Sequence, residues 1–147
     1  MAKWGKADYR QFQRLQKNIE ELGKKNNMDA FCEACCKELA ARLLALVIPR
    51  TPKRSGILQR GWGAETAGEA KAYAERLNVT KTGDTYTIEI INPVFYASYV
   101  EYGHRTASGG WVEGRYMLTI SEEELEKIAP QILERKLRKY MQEVFNV

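Results

Sequence analysis

The chain is 147 residues long and 44% hydrophobic, which suffices for one domain with a packed core and argues against general disorder. Its formal net charge of +4 is a mild excess, so contact with a polyanion is allowed but not required. No apolar run approaches the ~20 residues that cross a bilayer, so we expect neither a membrane span nor a signal peptide.

Two amphipathic helices are predicted in the first third of the chain. Apolar residues recur every three or four positions over residues 12–22, and Asp8 is the candidate N-cap. A second helix is predicted over residues 29–47 from the same periodicity. Pro49 and Pro52 follow this stripe, and we expect them to end the helix because proline cannot continue one.

Three cysteines, Cys32, Cys35 and Cys36, lie within the second predicted helix. A tetrahedral zinc site needs four ligands, usually as two separated pairs, and His104 is the only histidine. Cys35 also falls on the apolar stripe. We therefore interpret the cysteines as buried or half-buried thiols and predict neither a metal nor a cofactor.

The segment after the second helix predicts a turn and then an extended strand. Residues 51–56 contain proline, serine and glycine, which are typical of a turn. The alternate residues Leu58, Arg60, Trp62 and Ala64 then share one face of an extended segment.

The next part of the chain predicts a hairpin. Residues 65–75, rich in alanine and interrupted by glycine, predict a loop or a short weak helix. Residues 77–81 and 85–91 flank a turn at Gly83, and polar and apolar residues alternate along the second of these runs. We therefore expect two antiparallel strands with one wet face.

Residues 94–102 predict a helix instead of a strand, since both alternating faces would be apolar. Asn92 is the candidate N-cap, Pro93 suits the first helical position, and Gly103 suits the C-terminal end. The stretch after Gly103 contains three further glycines and no periodicity. We therefore predict a flexible loop over residues 103–114.

The last part of the chain predicts a long helix. Ser121 followed by Glu124 is typical of a capping box, and Pro130 is expected to kink or restart the helix. Together the elements predict a single α+β domain over residues 1–147. In this domain a small antiparallel β-sheet of about three to four strands packs against N- and C-terminal α-helices.

Two motifs carry a resemblance to a known family. They read, in chain order, Thr51-Pro52-x-x-Ser55-Gly56-x-Leu58 and Asn92-x-x-x-Tyr96-Ala97-x-x-Val100-Glu101-x-Gly103-His104-Arg105. With the order of the surrounding elements, the chain resembles the tail-component family of tailed bacteriophages and their prophages over about residues 28 to 145. That family includes neck, head–tail joining and tail-completion proteins. It more often carries Asp and Thr before the turn glycine, where this chain has Lys53, Arg54 and Ser55.

The resemblance implies a structural virion protein without catalytic activity. It implies a homo-oligomeric ring, a hexamer by analogy with the tail tube, that joins the connector or adaptor to the tail tube or tail terminator while DNA passes through. The protein would be made in the bacterial host cytoplasm and end in the neck or tail of the virion. The family-motif residues expected to shape the domain are Pro52, Gly56, Leu58, Asn92, Tyr96, Ala97, Glu101 and Gly103.

The loop after Gly103 is the candidate assembly interface, through His104, Arg105, Gly109, Gly110 and Trp111. Glycines make the ordered conformation entropically costly, and an exposed tryptophan is a typical interface anchor. We hypothesise that this loop is mobile in the free subunit and orders against a neighbour. The alternative is a loop whose tryptophan folds back onto the core.

Lys53, Arg54 and Arg60 are candidates for contact with DNA in a channel, because lysine and arginine neutralise phosphates without reading sequence. The alternative is an ordinary solvated surface. His104 and Glu101 lack a nucleophile in a recognisable motif, so we do not interpret them as an acid/base pair. A small nucleic-acid-binding module and a small enzyme or toxin remain the rival functions.

Overall fold

The computed structural model describes residues 9–145. Asp8, the predicted N-cap of the first helix, lies outside them. In chain order the described elements are α1 (Tyr9–Gly23), α2 (Lys25–Arg50), α3 (Ile57–Arg60), α4 (Ala67–Glu75), β1 (Val79–Thr82), β2 (Thr85–Ile88), α5 (Ala97–Tyr102), β3 (Gly103–Arg105), β4 (Trp111–Glu113) and α6 (Met117–Phe145). Among these helices none has the length and apolar character to cross a membrane.

The core forms around the C-terminal half of α2. Its apolar side chains pack against α3, α4, the start of α6 and the segment that follows α3. The buried members of this cluster are Leu44, Val47, Ile48, Leu58, Trp62, Ala64, Ala70 and Met117. Burial of such side chains is the main favourable contribution to folding, so α2 is the element on which the rest of the domain packs.

The C-terminal end of α2 continues past the predicted stop. Pro49 lies inside the helix, which ends at Arg50 instead of at residue 47. Side chains replace the missing helical partners of the last carbonyls. The Thr51 hydroxyl donates to Val47 O at 2.8 Å, and the amide of Gln59 donates to Ile48 O at 3.4 Å. These bonds satisfy carbonyl groups at the end of α2 that have no helical partner.

The predicted strand through Leu58 and Trp62 is wrong. The chain forms the short helix α3 there, preceded by Gly56 in the left-handed conformation (φ 76°) and followed by turns. Leu58, Trp62 and Ala64 are buried, but Arg60, predicted to share their face, is exposed. Leu58 and Trp62 are four residues apart, and this spacing places them on one side of a helical turn as readily as on one face of a strand.

The β-structure consists of two separate antiparallel hairpins. The β1–β2 hairpin is confirmed, with Val79 opposite Ile88 and Thr82 opposite Thr85. A second hairpin pairs β3 with β4. The α+β class is confirmed, but the four described strands form two two-stranded sheets instead of one sheet. Residues 67–75 form α4, which confirms the helical alternative for that stretch.

The β1–β2 hairpin is fastened to the N-terminal part of α2 by polar contacts. Lys81 Nζ donates to Asp29 Oδ1 at 3.0 Å, and the Tyr86 hydroxyl donates to the same oxygen. The hydrogen bond to Asp29 raises the pKa of both Tyr86 and Lys81, because it favours their protonated forms.

The long helix α6 begins one turn before its predicted cap. Ser121 lies inside the helix, fully buried, and its hydroxyl donates to Met117 O at 2.6 Å. The predicted capping box at Ser121 is therefore wrong. Arg50 donates to Ser121 Oγ at 3.2 Å and forms an ion pair with Glu124, which lowers the pKa of that carboxyl group. The helix continues through Pro130 as a single element.

Candidate assembly interface

The two sequence motifs meet in the fold. Asn92 Nδ2 donates to Leu58 O at 2.8 Å, and its Oδ1 accepts from Val94 N at 3.2 Å. Asn92 therefore closes a local turn and ties it to α3, so the prediction that it caps a helix is wrong. Helix α5 begins later, at Ala97, with Tyr96 as its N-cap.

A cleft of about 470 Å³ lies between the motifs. Pro52 and Leu58 from the first motif and Tyr96 from the second line it, together with Arg54. The residues of the two motifs thus position α5 against the core. Helix α5 in turn positions the residues that follow it.

Glu101 is the buried centre of the second motif, with 5% of its surface exposed. Its carboxylate accepts from Leu118 N, Thr119 N and Thr119 Oγ1, each at 2.8 Å. Both backbone donors belong to the first turn of α6, where N–H groups have no partner within the helix. A carboxylate there also interacts favourably with the helix dipole. Glu101 is therefore the cap of α6, supplied from another element.

The backbone around Glu101 reinforces this junction. Arg115 N donates to Val100 O at 2.7 Å, and Tyr116 N donates to Glu101 O at 3.0 Å. Tyr116 adopts a positive φ of 49°, which is uncommon for a non-glycine residue. His104 takes no part in the junction, because its Nδ1 lies 3.0 Å from Arg105 O and its ring packs 5.6 Å from that of Tyr99.

Residues 103–113 form a β-hairpin, called here the hairpin arm. The arm starts at Gly103, whose φ is 89°; a Cβ there would lie 2.5 Å from Val112 O and 2.8 Å from the Trp111 indole. Its turn is closed by Thr106 N donating to Gly110 O at 2.9 Å and by Gly110 N donating to Thr106 Oγ1 at 2.9 Å. The stretch predicted to lack secondary structure is thus ordered by local bonds. Its mobility stays a prediction.

The arm projects from the body of the protein. Trp111 and Val112 are neighbours on β4 and point to opposite faces of the hairpin, yet they are 58% and 45% exposed. Neither face of the arm is therefore covered by the core. The indole lies over Gly103 instead of folding back onto the core.

Large exposed aromatic side chains lie on α5, which leads directly into the arm, and just before α5. Phe95 is 86% exposed, Tyr102 is 62% exposed and Tyr99 is 54% exposed. Scattered apolar side chains are normal on a surface, but several large exposed aromatics within eight residues, leading into an exposed hairpin, are typical of an interaction surface. Aromatic residues are also enriched in protein–protein interfaces.

A comparison with protein families gives a match over most of the chain. The model described as "Bacteriophage HK97-gp10, putative tail-component" matches residues 13–103, more than half of the chain. The chain belongs to this family of bacteriophage tail components. Neither the curated proteins nor the solved structures gave a significant match. The resemblance inferred from the two motifs is confirmed, and every motif residue from Pro52 to Gly103 lies inside the HK97-gp10 match.

The match ends where the arm begins. The family portion therefore runs from residue 13, within α1, through α5, and it stops at Gly103. The remainder of the arm and α6 lie outside it, although Glu101 binds the first turn of α6. In this member of the HK97-gp10-like family, the matched portion directly positions the hairpin arm and α6, which follow it.

Of the basic residues predicted to face DNA, Lys53 and Arg54 lie within the first motif and Arg60 follows it. Lys53, Arg54 and Arg60 are all exposed. Arg60 extends over Gly56, where a Cβ would lie 2.7 Å from its Nη1, and Arg54 lines the cleft between the motifs. These three cations thus form one small basic area, and contact with DNA there stays a proposal.

The three cysteines of this HK97-gp10-like chain are free and half-buried, which agrees with the thiol interpretation. Burial raises the pKa of Cys35 and Cys36, so their reactive thiolate forms are disfavoured. Within residues 9–145, no group of three or more histidine, cysteine, aspartate or glutamate side chains is arranged to hold a metal ion.

Proposed function

We propose that this protein is a ring-forming subunit at the head–tail junction or the tail end of a phage particle, where it joins the connector to the tail tube. Membership in a family of tail components supports a structural role in the particle. The observation that carries the finer proposal is the hairpin arm, which exposes an aromatic side chain and both of its faces.

In a ring, each subunit makes the same head-to-tail contact with the next one, so it needs two different surfaces, one for each neighbour. The arm and the exposed aromatic side chains of α5 supply one such surface. Burying a large aromatic side chain at the centre of an interface is commonly worth ~2 kcal/mol or more, so one arm contact weighs heavily in assembly. By analogy with the tail tube we propose six subunits, with the connector or adaptor on one side and the tube or tail terminator on the other.

The small basic area of Lys53, Arg54 and Arg60 supports a role beside DNA. In a ring that encloses the passing genome, exposed cations bind phosphates without reading sequence, and such contacts weaken as salt is raised. The same observation supports the second candidate function, a small nucleic-acid-binding module. In that case the isolated subunit would bind duplex DNA by itself with a strong salt dependence.

The substitution Trp111→Ala tests the proposal. Because the side chain is exposed, we expect the free energy of unfolding to change by no more than about 0.5 kcal/mol. The yield of joined, infectious particles should fall by about 30-fold or more when this variant replaces the native protein, as expected for the loss of an interface anchor. Urea denaturation and a complementation assay measure the two effects.

The matched control is Lys71→Ala, which removes an exposed side chain from α4, away from the arm. It should affect neither stability nor particle yield. The variant Trp111→Phe, which keeps an aromatic ring, should recover part of the yield. A stable Trp111→Ala protein that supports a native yield of particles would show that the arm is not an assembly surface.

A further inference from the structure

The long helix α6 turns one continuous face away from the body of the protein. Residues three or four positions apart fall on one side of an α-helix. One such row, called here the exposed row, runs the length of α6, with Pro130 and Gln131 at its middle. Its members, all exposed except the half-buried last one, are Ile120, Glu123, Lys127, Pro130, Gln131, Glu134, Arg138, Met141 and Phe145. The 29 residues of α6 extend over about 43 Å, so this row is a long surface.

The C-terminal end of the exposed row carries an apolar groove of about 420 Å³. The residues that line it all belong to α6, and they are Glu134, Leu137, Arg138, Met141, Gln142 and Phe145. Leu137 is 44% exposed and Met141 is 41% exposed. At the opposite end of the row, Ile120 is 40% exposed. Apolar side chains are thus available to a partner at both ends of the row.

The charges of the exposed row have an order that is complementary to its own reverse. Along the helix the signs alternate at Glu123, Lys127, Glu134 and Arg138. Lys127 and Glu134 are equally distant from the middle of the row, and so are Glu123 and Arg138. Ile120 and Met141 are equally distant from it as well. A second row laid alongside in the reverse direction therefore sets each charge against its opposite and each apolar end against the other.

We propose that two copies of this chain pair through α6, antiparallel to each other, with a two-fold axis at the middle of the exposed row. Glu123 of each subunit then meets Arg138 of the other, and Lys127 meets Glu134. Ile120 enters the apolar groove of the neighbour beside Met141. Each of these contacts occurs twice in the pair, because a two-fold contact uses the same surface on both subunits.

The charges select this arrangement over its alternatives. A parallel pair in register would set every charge of the row against its own copy. An antiparallel pair shifted by one heptad would set either Lys127 against Lys127 or Glu134 against Glu134. Like charges placed together disfavour a wrong partner or register, as at the flanks of coiled coils. Exposed ion pairs contribute little affinity individually, so the apolar ends supply most of the attraction and the charges fix the register.

The ion pair within α6 is compatible with this contact. Arg138 Nη2 lies 2.9 Å from Glu134 Oε1, and their side chains are 70% and 68% exposed. Both groups therefore keep open sides on which a second charged partner can bind, and the four charges form a network across the pair.

The α6 pair is a contact of the free protein and goes beyond the proposed ring. A head-to-tail ring joins two different surfaces, whereas a two-fold pair joins two identical ones. The α6 pair and the ring contact are therefore separate, and either can be tested without the other.

A charge exchange in the full-length protein tests the pair. Glu123→Arg alone and Arg138→Glu alone should each weaken dimer formation by about 10-fold or more, measured by sedimentation velocity over a concentration series. The double variant should return to within about threefold of the native affinity, because the pairs are restored with their signs reversed. The matched control is Glu122→Arg, which changes an exposed carboxylate of the same helix outside the row and should leave dimer formation unchanged. Urea denaturation checks that each variant is folded.

A covalent probe detects a weak pair. Gln131 lies beside the proposed two-fold axis, so Gln131→Cys should form a disulfide between two subunits under mild oxidation. Lys139→Cys, on another side of the helix, should cross-link no more than the native chain with its three cysteines. Oligomers that resist both single charge reversals and do not cross-link through Gln131→Cys would overturn the α6 pair. A chain that stays monomeric at ~1 mM and gives no such cross-link would overturn it too.

Discussion

Replacing Glu101 by alanine is expected to destabilise the protein by about 2–4 kcal/mol, because two backbone N–H groups and one hydroxyl lose a buried, charged acceptor together. The free energy of unfolding of a domain is typically about 5 to 15 kcal/mol, so this loss would be a large part of it. The loss should also loosen the start of α6 and the base of the arm. Urea denaturation gives the free energy, and amide exchange at Leu118 and Thr119 gives the local effect.

Two further variants separate capping from charge. Glu101→Gln keeps the shape but presents an NH₂ group in place of one oxygen, so we expect an intermediate loss of stability. Glu122→Ala removes an exposed carboxylate from the first turns of α6 and should cost no more than about 0.5 kcal/mol. If Glu101→Ala proved as mild as Glu122→Ala, the capping role of Glu101 would be refuted.

Replacing Trp62 by alanine is expected to cost about 3–5 kcal/mol of stability. The side chain is 3% exposed within the core, and its removal leaves a cavity that the packed residues around it cannot fill. Its Nε1 also donates to Thr51 Oγ1 at 2.9 Å, and that bond links the segment after α3 to the end of α2. Thermal and urea denaturation measure the loss.

The contribution of the hydrogen bond between Trp62 and Thr51 to this loss of stability can be measured separately. Trp62→Phe keeps an aromatic ring and loses the indole N–H, and Thr51→Val removes the acceptor. A double-mutant cycle of these two variants should give an interaction energy of about 0.5–2 kcal/mol. Additive effects would mean that Trp62 contributes only packing. A Trp62→Ala protein with native stability would contradict the core assignment itself.

The sequence predicted the elements that are stabilised by residues close together in the chain. The β1–β2 hairpin has alternating side chains and a Gly83 turn between its strands, so its strand ends were predicted to within three residues. The capping of α6 was mispredicted because the true cap is distant in sequence. Ser121 and Glu124 have the spacing of a capping box, but Glu101 supplies the cap, and that contact exists only after the chain has folded.

The hairpin arm was missed for a different reason. Its strands contain three residues each, which is too few for alternation to be visible, and its glycines are typical of an unstructured loop. The local signals were Thr106, whose hydroxyl accepts a backbone bond across the turn, and Gly109, which adopts a φ of 87°. The exposure of Trp111 was predicted from the glycines around it in the sequence.

The most direct measurement of the central claim is electron microscopy of particles assembled without this protein, from the phage or induced prophage that encodes it. We expect complete heads and complete tails that fail to join, or tails whose end is unfinished, and restoring the protein should restore whole particles. Intact, infectious particles formed in its absence would contradict a role in joining or completing the tail.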